Sequence, residues 1–335
     1  MVETNDTPRE SSYSPLISIV VCTYNRAKLL AGVLKTLCEQ RFDASDYEVI
    51  VVDNNSIDDT LMTVESFCSQ YANIQYYFEP HQGLSQARNR GWQEANGEYV
   101  AYIDDDCLAS ERWLEVAKDI IETHSPHVFG GPYFAYSNSP KPRWFKDSYG
   151  SHVQGTAARW LTRNEYLDGG NFFVRRELLE RFGGFDANFG MSGRKIGYGE
   201  ETALQRKIRT TRKEELIYYD PRLYVHHLVA ARKMNLCWIM RQRFITGRDC
   251  HRVFEGEKCR AVGRIGLVKR LSMILVSLTL DLTRGVLKRD RDQYPYIQNY
   301  LYEHSFIYVL KLGMLYEQYK QSLQGQIARR ERTAI

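Results

Sequence analysis

Three consecutive carboxylates, Asp104, Asp105 and Asp106, close the apolar run EYVAYIDDD. In an extended continuation Asp104 and Asp106 project to one side and Asp105 to the other. Paired hard oxygen ligands of this kind suit Mg²⁺ or Mn²⁺, which retain waters and complete their shell from phosphate oxygens. The competing reading is an acidic helix start, because Ser110-Glu111 opens a helical segment. Adjacent acids without a cation repel one another, so the metal reading is preferred. A second acidic pair, Glu200-Glu201, follows Gly-Tyr-Gly and a glycine-rich loop, GMSGRKIGYG. Acids are common at helix N-termini, but a loop that can close over a substrate favours a chemical role. Asp53 can accept hydrogen bonds from a base or ribose, or simply cap the turn after it. Thr23, Tyr24, Asn25 and Arg26 offer a hydroxyl, an aromatic face and a cation. Arg88, near the start of a helix opened by Gly83, can reach a phosphate or remain a solvated charge.

These residues need a frame, and the pattern supplies one. LISIVVC, YEVIVVD (ending on Asp53), Ile74 to Phe78 and EYVAYID read as buried strands. Helical spacing fills the intervals, over Lys28 to Glu39, Asp59 to Gln70 and Ser85 to Ala95. The alternation predicts an α/β fold, a mostly parallel sheet with helices on both faces. Ligands of such sheets bind beyond the carboxyl ends of the strands. Thr23 to Arg26, Asp53 to Ser56, Glu79 to Gly83 and Asp104 to Asp106 therefore converge on one crevice. The regularity stops near Thr123. Pro132 to Arg163, rich in Pro, Ser, Tyr, Trp and Lys, reads as a long functional loop or lid. A short strand precedes His226 and His227, and from Met234 onward the chain is helical, Arg-rich and amphipathic. The expected organisation is a disordered lead-in over 1–13 and a catalytic unit over 14–230, with halves 14–123 and 124–230. A C-terminal helical region over 231–335 completes it.

A formal net charge of +4 over 335 residues is too mild to imply nucleic acid. Seven cysteines form no C-x-x-C pair, which excludes a zinc knuckle or a disulfide framework and fits a reducing compartment. The N-terminus is polar and acidic, unlike a signal peptide. The most apolar late stretch, Met273 to Leu287, is interrupted by Asp281 and Arg284, too short and charged to span a bilayer. A cytoplasmic protein is expected, with peripheral contact to the inner face of a membrane open to the basic C-terminal helices.

ISIVVCTYNR, VIVVDNNSIDDT, GLSQARNRG, EYVAYIDDD, the GGN of DGGNFFVRR, GGFD and GYGEE occur in this order. The series resembles family 2 glycosyltransferases of the GT-A fold over about residues 16 to 230. The resemblance implies an inverting transfer of one sugar from a nucleoside-diphosphate sugar, a UDP-sugar first, to a glycan or lipid-linked acceptor. Asp53 then resembles the family's base-contacting acid, and Thr23, Tyr24 and Arg26 its nucleoside loop. Asn25, Asn55, Gly83, Arg88, Asp105, Gly170 and Asn171 complete the expected donor-binding set. Asp106 is the expected direct ligand of Mn²⁺ or Mg²⁺, Asp104 is shared between cation and ribose, and His227 completes the metal shell. Glu200-Glu201 stands where the family has Glu-Asp, whose second member is the catalytic base. The longer Glu201 leaves both acids candidates. Proton removal from the acceptor needs a carboxylate there, and the departing diphosphate needs positive charge opposite.

The Q-x-x-R-W signature of processive members lacks its Trp in RQRFITGR, from Arg241, which favours single addition. Trp144 and Phe145 offer faces for an acceptor sugar or for packing. Two rival classes remain. A sugar nucleotidyltransferase expects a glycine-rich triphosphate loop, and TYNR has no glycine. A non-catalytic nucleotide-sugar binding module expects nothing of Glu200 and Glu201.

Overall fold

Alternate residues of the first strands face opposite layers, and this one fact sets the architecture. The computed structural model describes residues 14–193, 195–211, 216–255 and 264–333. The lead-in 1–13, Arg194 and Cys259 lie outside the described residues. The first half runs β1 (Ile17–Thr23), α1 (Ala27–Cys38), β2 (Tyr47–Asp53), α2 (Thr60–Cys68), β3 (Ile74–Phe78), α3 (Leu84–Glu94) and β4 (Tyr99–Asp104). After it come β5 (Cys107–Ala109), α4 (Trp113–His124), β6 (Val128–Gly130), β7 (Tyr133–Tyr136), β8 (Arg159–Trp160), β9 (Asn171–Arg175), α5 (Arg176–Phe182), α6 (Glu200–Thr211), β10 (Ile217–Tyr219) and β11 (Val225–Leu228).

Ile17, Ile19, Val21, Val49, Val51 and Ala101 pack with Leu30, Leu34 and Leu37 of α1, Val64 of α2 and Trp113 of α4. Their neighbours Val20, Ile50, Val52, Val100 and Tyr102 turn to the other face, with Ala87 of α3, Leu179 of α5 and Leu204 of α6. Period-two strands buried on both faces account for the unbroken apolar runs.

The main sheet has the order β3-β2-β1-β4-β9-β6-β10-β8. β3, β2, β1 and β4 are parallel, so their carboxyl ends share one edge. β9 enters antiparallel between β4 and β6. A second sheet, β5-β11-β7, stands beside the end of β4. The single strand expected before the histidines is in fact two. It breaks at Asp220-Pro221, where the buried Asp220 carboxylate accepts Arg222 Nη2–H at 2.7 Å. His226 and His227 consequently lie inside β11, in the second sheet. The expected lid is also anchored: Phe145 is buried with Val229, Met234, Ile239 and Phe306, and Trp144 packs against this cluster. Tyr133 is buried as well, whereas Phe134 stays exposed.

The C-terminal part is α7 (Leu236–Glu255), α8 (Arg264–Leu287), α9 (Ile297–Tyr300), a π-helical turn (Leu301–Ser305) and α10 (Phe306–Thr333). Among the described residues no helix is long and apolar enough to cross a membrane. α7 and α10 cross at two reciprocal glycines. A Cβ on Gly247 would stand 1.9 Å from the Leu310 carbonyl oxygen, and one on Gly313 2.0 Å from that of Phe244. Backbone cannot yield as a side chain can, so Gly313→Val must separate the helices. The expected cost is about 1–3 kcal/mol, read as a lower urea midpoint. A variant as stable as the parent would remove the close crossing from the account.

Candidate active site

The loops at the carboxyl edge are held by one another's side chains. Asn25, at φ +53°, accepts the Ile57 N–H on Oδ1 at 2.8 Å, and its own N–H donates to Ser56 Oγ at 2.8 Å. These bonds tie the loop after β1 to the loop after β2. Asn54 donates to the carbonyls of Glu79 and His81 and accepts the Gly83 N–H at 2.7 Å. That fixes the start of α3 against β2, with Gly83 at φ +153°. Asp53 is buried; its Oδ1 accepts the Ser56 N–H and its Oδ2 the Tyr76 hydroxyl, at 2.9 and 3.0 Å. Asn55 is exposed at φ +68°, and the Tyr24 ring is exposed at the mouth of the same loop.

The three aspartates part company at the end of β4. Asp105 turns back into the β1 loop, accepting Thr23 Oγ1–H at 2.8 Å and Arg26 Nη1–H at 2.7 Å. Burial pushes its carboxyl up to about 6 even though Arg26 opposes the shift. Asp104 and Asp106 face the other way and, with the thiol of Cys107, offer ligand atoms within 4.8 Å of one another. β11 runs antiparallel to β5 with His227 opposite Cys107, which brings the imidazole Nε2 to 3.5 Å from Asp106 Oδ1. Lys233 Nζ approaches Asp106 Oδ2 at 3.4 Å, and Arg26 Nη1 stands 3.4 Å from the same oxygen. Burial disfavours ionised Asp106, but the positive charges of Lys233 and Arg26 oppose it, and the carboxyl is held below its ordinary range. Burial also keeps His227 neutral, against the pull of Asp106.

This donor set fits a divalent cation. Two carboxylates and an imidazole converge, the Asp106 carboxyl is held below its ordinary range, and the imidazole Nδ1 is buried with no hydrogen-bond partner among the described residues. The Cys107 thiol, pushed well up by burial, is a poor member of the set.

The second acidic pair opens α6. Glu200 is buried and Glu201 half-buried. Burial raises both carboxyls, Glu201 well above 4.5 with the charge of Glu200 adding to the effect. Between the two acidic centres lies Arg88, buried, with Nη1 donating to Glu200 Oε1 at 2.9 Å and Nη2 to the Gly169 carbonyl at 3.0 Å. Nη2 also stands 3.4 Å from Asp104 Oδ1. Arg88 is thus a bridge inside the protein, where the sequence pointed to a phosphate contact.

Gly170 makes room for the acids: a Cβ there would lie 2.3 Å from Asp104 Oδ2. Its N–H donates to the Tyr133 hydroxyl. Asn171 is fully buried; Oδ1 accepts Trp113 Nε1–H at 2.9 Å, and Nδ2 donates to the carbonyls of Leu223 and Pro132. With both amide hydrogens spent on the scaffold, it stands behind the site. His226 is exposed and packs its ring beside Phe134 and Tyr224, away from Asp106. The glycine-rich loop before α6 is pinned, with the Leu84 N–H donating to the Met191 carbonyl at 2.7 Å and Ser192 Oγ–H to that of Gln82 at 2.9 Å. Lys233 was missed from the sequence because no spacing links it to Asp106; only the docking of the Ala231–Met234 turn beside β11 does.

The sheet order and the acids after β4 define a GT-A glycosyltransferase fold. It is shared by the mannosyltransferase PcManGT from Pyrobaculum calidifontis in complex with GDP-Man and Mn²⁺, with a TM-score of 0.58 at 19% identity, over 93% of this chain and 88% of that one. S. aureus TarS 1-349 in complex with UDP-GlcNAc gives 0.54 at 19% identity, with 91% of each chain covered. The chain belongs to glycosyl transferase family 2, whose pattern matches residues 18–183. It is 29% identical over 177 residues to the glycosyltransferase AglE of Haloferax volcanii, covering 52% of this chain and 57% of that relative.

The Arg88 bridge makes a stability prediction. Arg88→Met leaves Glu200 and Asp104 without their buried cation and costs about 3–5 kcal/mol in urea unfolding. Arg88→Met with Glu200→Met recovers part of that loss. Equal stability of the single variant and the parent would show that the bridge carries no weight.

Proposed function

We propose that this protein transfers one sugar, with inversion, from a UDP-sugar to a hydroxyl of a glycan or lipid-linked acceptor. The observation that carries the reading is the pair of oppositely equipped poles held apart by Arg88: Asp104, Asp106, His227 and Lys233 on one side, Glu200 and Glu201 on the other. In this reading Thr23, Tyr24, Asn25, Arg26 and Asp53 receive the nucleoside, with the Tyr24 ring free to stack on the base. Asp106, Asp104 and His227 would hold Mn²⁺ or Mg²⁺, which supplies charge neutralisation at the diphosphate. Lys233 and Arg26, already beside Asp106, add positive charge for the leaving group. Glu201 accepts the proton of the attacking hydroxyl, and Glu200, committed to Arg88, keeps α6 in register with the donor side. Uridine is supported by the UDP and UDP-GlcNAc complexes of TarS; the GDP-Man held by PcManGT marks the alternative that a donor screen must include. A cytoplasmic setting belongs to the same reading, since the cysteines of the described residues are free thiols.

Glu201→Gln should retain donor affinity by calorimetry and lose about 100-fold or more in kcat, the usual worth of a positioned base. Retained turnover would return the role to Glu200, and silence of the parent with every nucleotide sugar would favour a binding module. A protonated base cannot accept a proton. Because burial and Glu200 raise Glu201, kcat/KM should climb with pH through an inflection above the ordinary 4.5. An inflection at or below that value would exclude Glu201. Chelator should abolish turnover, with Mn²⁺ or Mg²⁺ restoring it. Turnover indifferent to chelator would leave Lys233 and Arg26 as the diphosphate's partners and end the metal assignment.

A further inference from the structure

The outermost helix, α8, turns an apolar face to solvent that no other element covers among the described residues. Ile265 is 87% exposed, Val268 63%, Val276 59%, Leu280 66%, Val286 63% and Leu287 73%. At 100° per residue these six fall within an arc of about 120°. The opposite side is the packed one: Leu267 and Gly285 are buried, and the helix rests on α10 and the π-helical turn. Met273 and Leu275 border this arc, so eight exposed apolar side chains, with Ser272, Thr279 and Thr283 among them, share one side of the helix, more than a soluble surface leaves uncovered without reason.

The charges around this face have one sign. Lys269 sits within the arc, Arg284 lies near its margin, and Arg270 and Lys288 lie further round, Arg270 donating to Gln318 Oε1. The helix has a single acid, Asp281, and it points inward, accepting the hydroxyls of Tyr300 at 3.0 Å and Ser305 at 2.6 Å. In the turn that follows, Arg289 and Arg291 alternate with Asp290 and Asp292, and Asp290 is occupied by the N–H groups of Asp292 and Gln293. A second copy of the chain would set these cations against each other with no exposed acid on α8 to receive them. A bilayer carrying anionic headgroups answers both the apolar face and its basic margin. The helix, 24 residues and about 36 Å long, is amphipathic and does not span.

We infer that α8 is an interfacial helix that seats this protein on an anionic membrane surface, with the Ile265–Leu287 face in the headgroup region. The seat is rigidly joined to the catalytic half. The Tyr302 ring, in the π-helical turn under α8, stacks on Tyr149 at 3.9 Å, and Glu303 pairs with Lys146 at 2.8 Å. The 147–149 turn lies against β7, which pairs in turn with β11, the strand of His227. A membrane-bound α8 would thus hold the candidate site at a fixed height over the surface, where a lipid-linked acceptor presents its hydroxyl. The inference stands on the helix face alone and is independent of the donor chemistry.

Flotation of the full chain with vesicles tests it without any sugar transfer. The protein should float with phosphatidylcholine–phosphatidylglycerol vesicles and bind pure phosphatidylcholine about tenfold or more weakly, and added salt should narrow the gap. Val268→Glu with Val276→Glu and Val286→Glu should lower partition to the anionic vesicles about tenfold or more, with circular dichroism and donor hydrolysis unchanged, since all three side chains are exposed. Equal partition of this variant and the parent would overturn the assignment, as would equal binding to neutral lipid. Light scattering supplies the remaining arm: a parent dimer that the triple variant dissolves would make the face a contact between copies instead.

Discussion

The active end of this molecule depends on one buried guanidinium. Arg88 is a cation removed from water, tolerable only because Glu200, Asp104 and the Gly169 carbonyl surround it. Those partners come from the start of α6, the end of β4 and the approach to β9, parts of the chain far apart in sequence. The charge that must be satisfied therefore fixes their separation. It also divides the acids: Asp104 and Glu200 meet Arg88, whereas Asp106 is held by Arg26, His227 and Lys233.

Much of this was legible in the residues. The four early strands and three helices fall within a few residues of their expected bounds because apolar strands buried on both faces leave little ambiguity. The convergence of Thr23, Asp53, Gly83 and Asp104 followed from parallel topology alone, and the opposite orientation of Asp105 from the alternation of an extended chain. Other features could not be read. Antiparallel insertion of β9 is a pairing between distant segments, and no local signal announces it. Asn171 looked like a ligand because amides bind ligands; that Trp113 and two carbonyls would consume it depends on tertiary packing. The break at Asp220 separated β10 from β11 because a buried carboxylate bound a nearby guanidinium, an interaction invisible to hydropathy.

Polar side chains do for the loops what apolar ones do for the layers. Asn25 and Asn54 each satisfy backbone groups of a neighbouring loop and Asp53 one of its own, so the crevice is bordered by a hydrogen-bonded rim. Such a rim is preorganised: little backbone entropy is left to lose when a nucleotide enters. The left-handed Asn25 and Asn55 supply the sharp turns that this lacing requires.

The π-helical turn at Leu301–Ser305 carries a consequence of its own. A π turn is in effect an α-helix with one residue too many, and that residue sets the angular phase of everything downstream. Deleting a residue there would restore uniform winding and rotate α10 by about 100°. Gly313 would swing off Phe244, and bulkier neighbours would take its place against α7. The segment works as a phase shifter, letting α9 meet Trp144 and Tyr149 through Asn299 while α10 presents its glycine to α7. Insertions and deletions among related chains should therefore be tolerated on either side of this turn far better than within it.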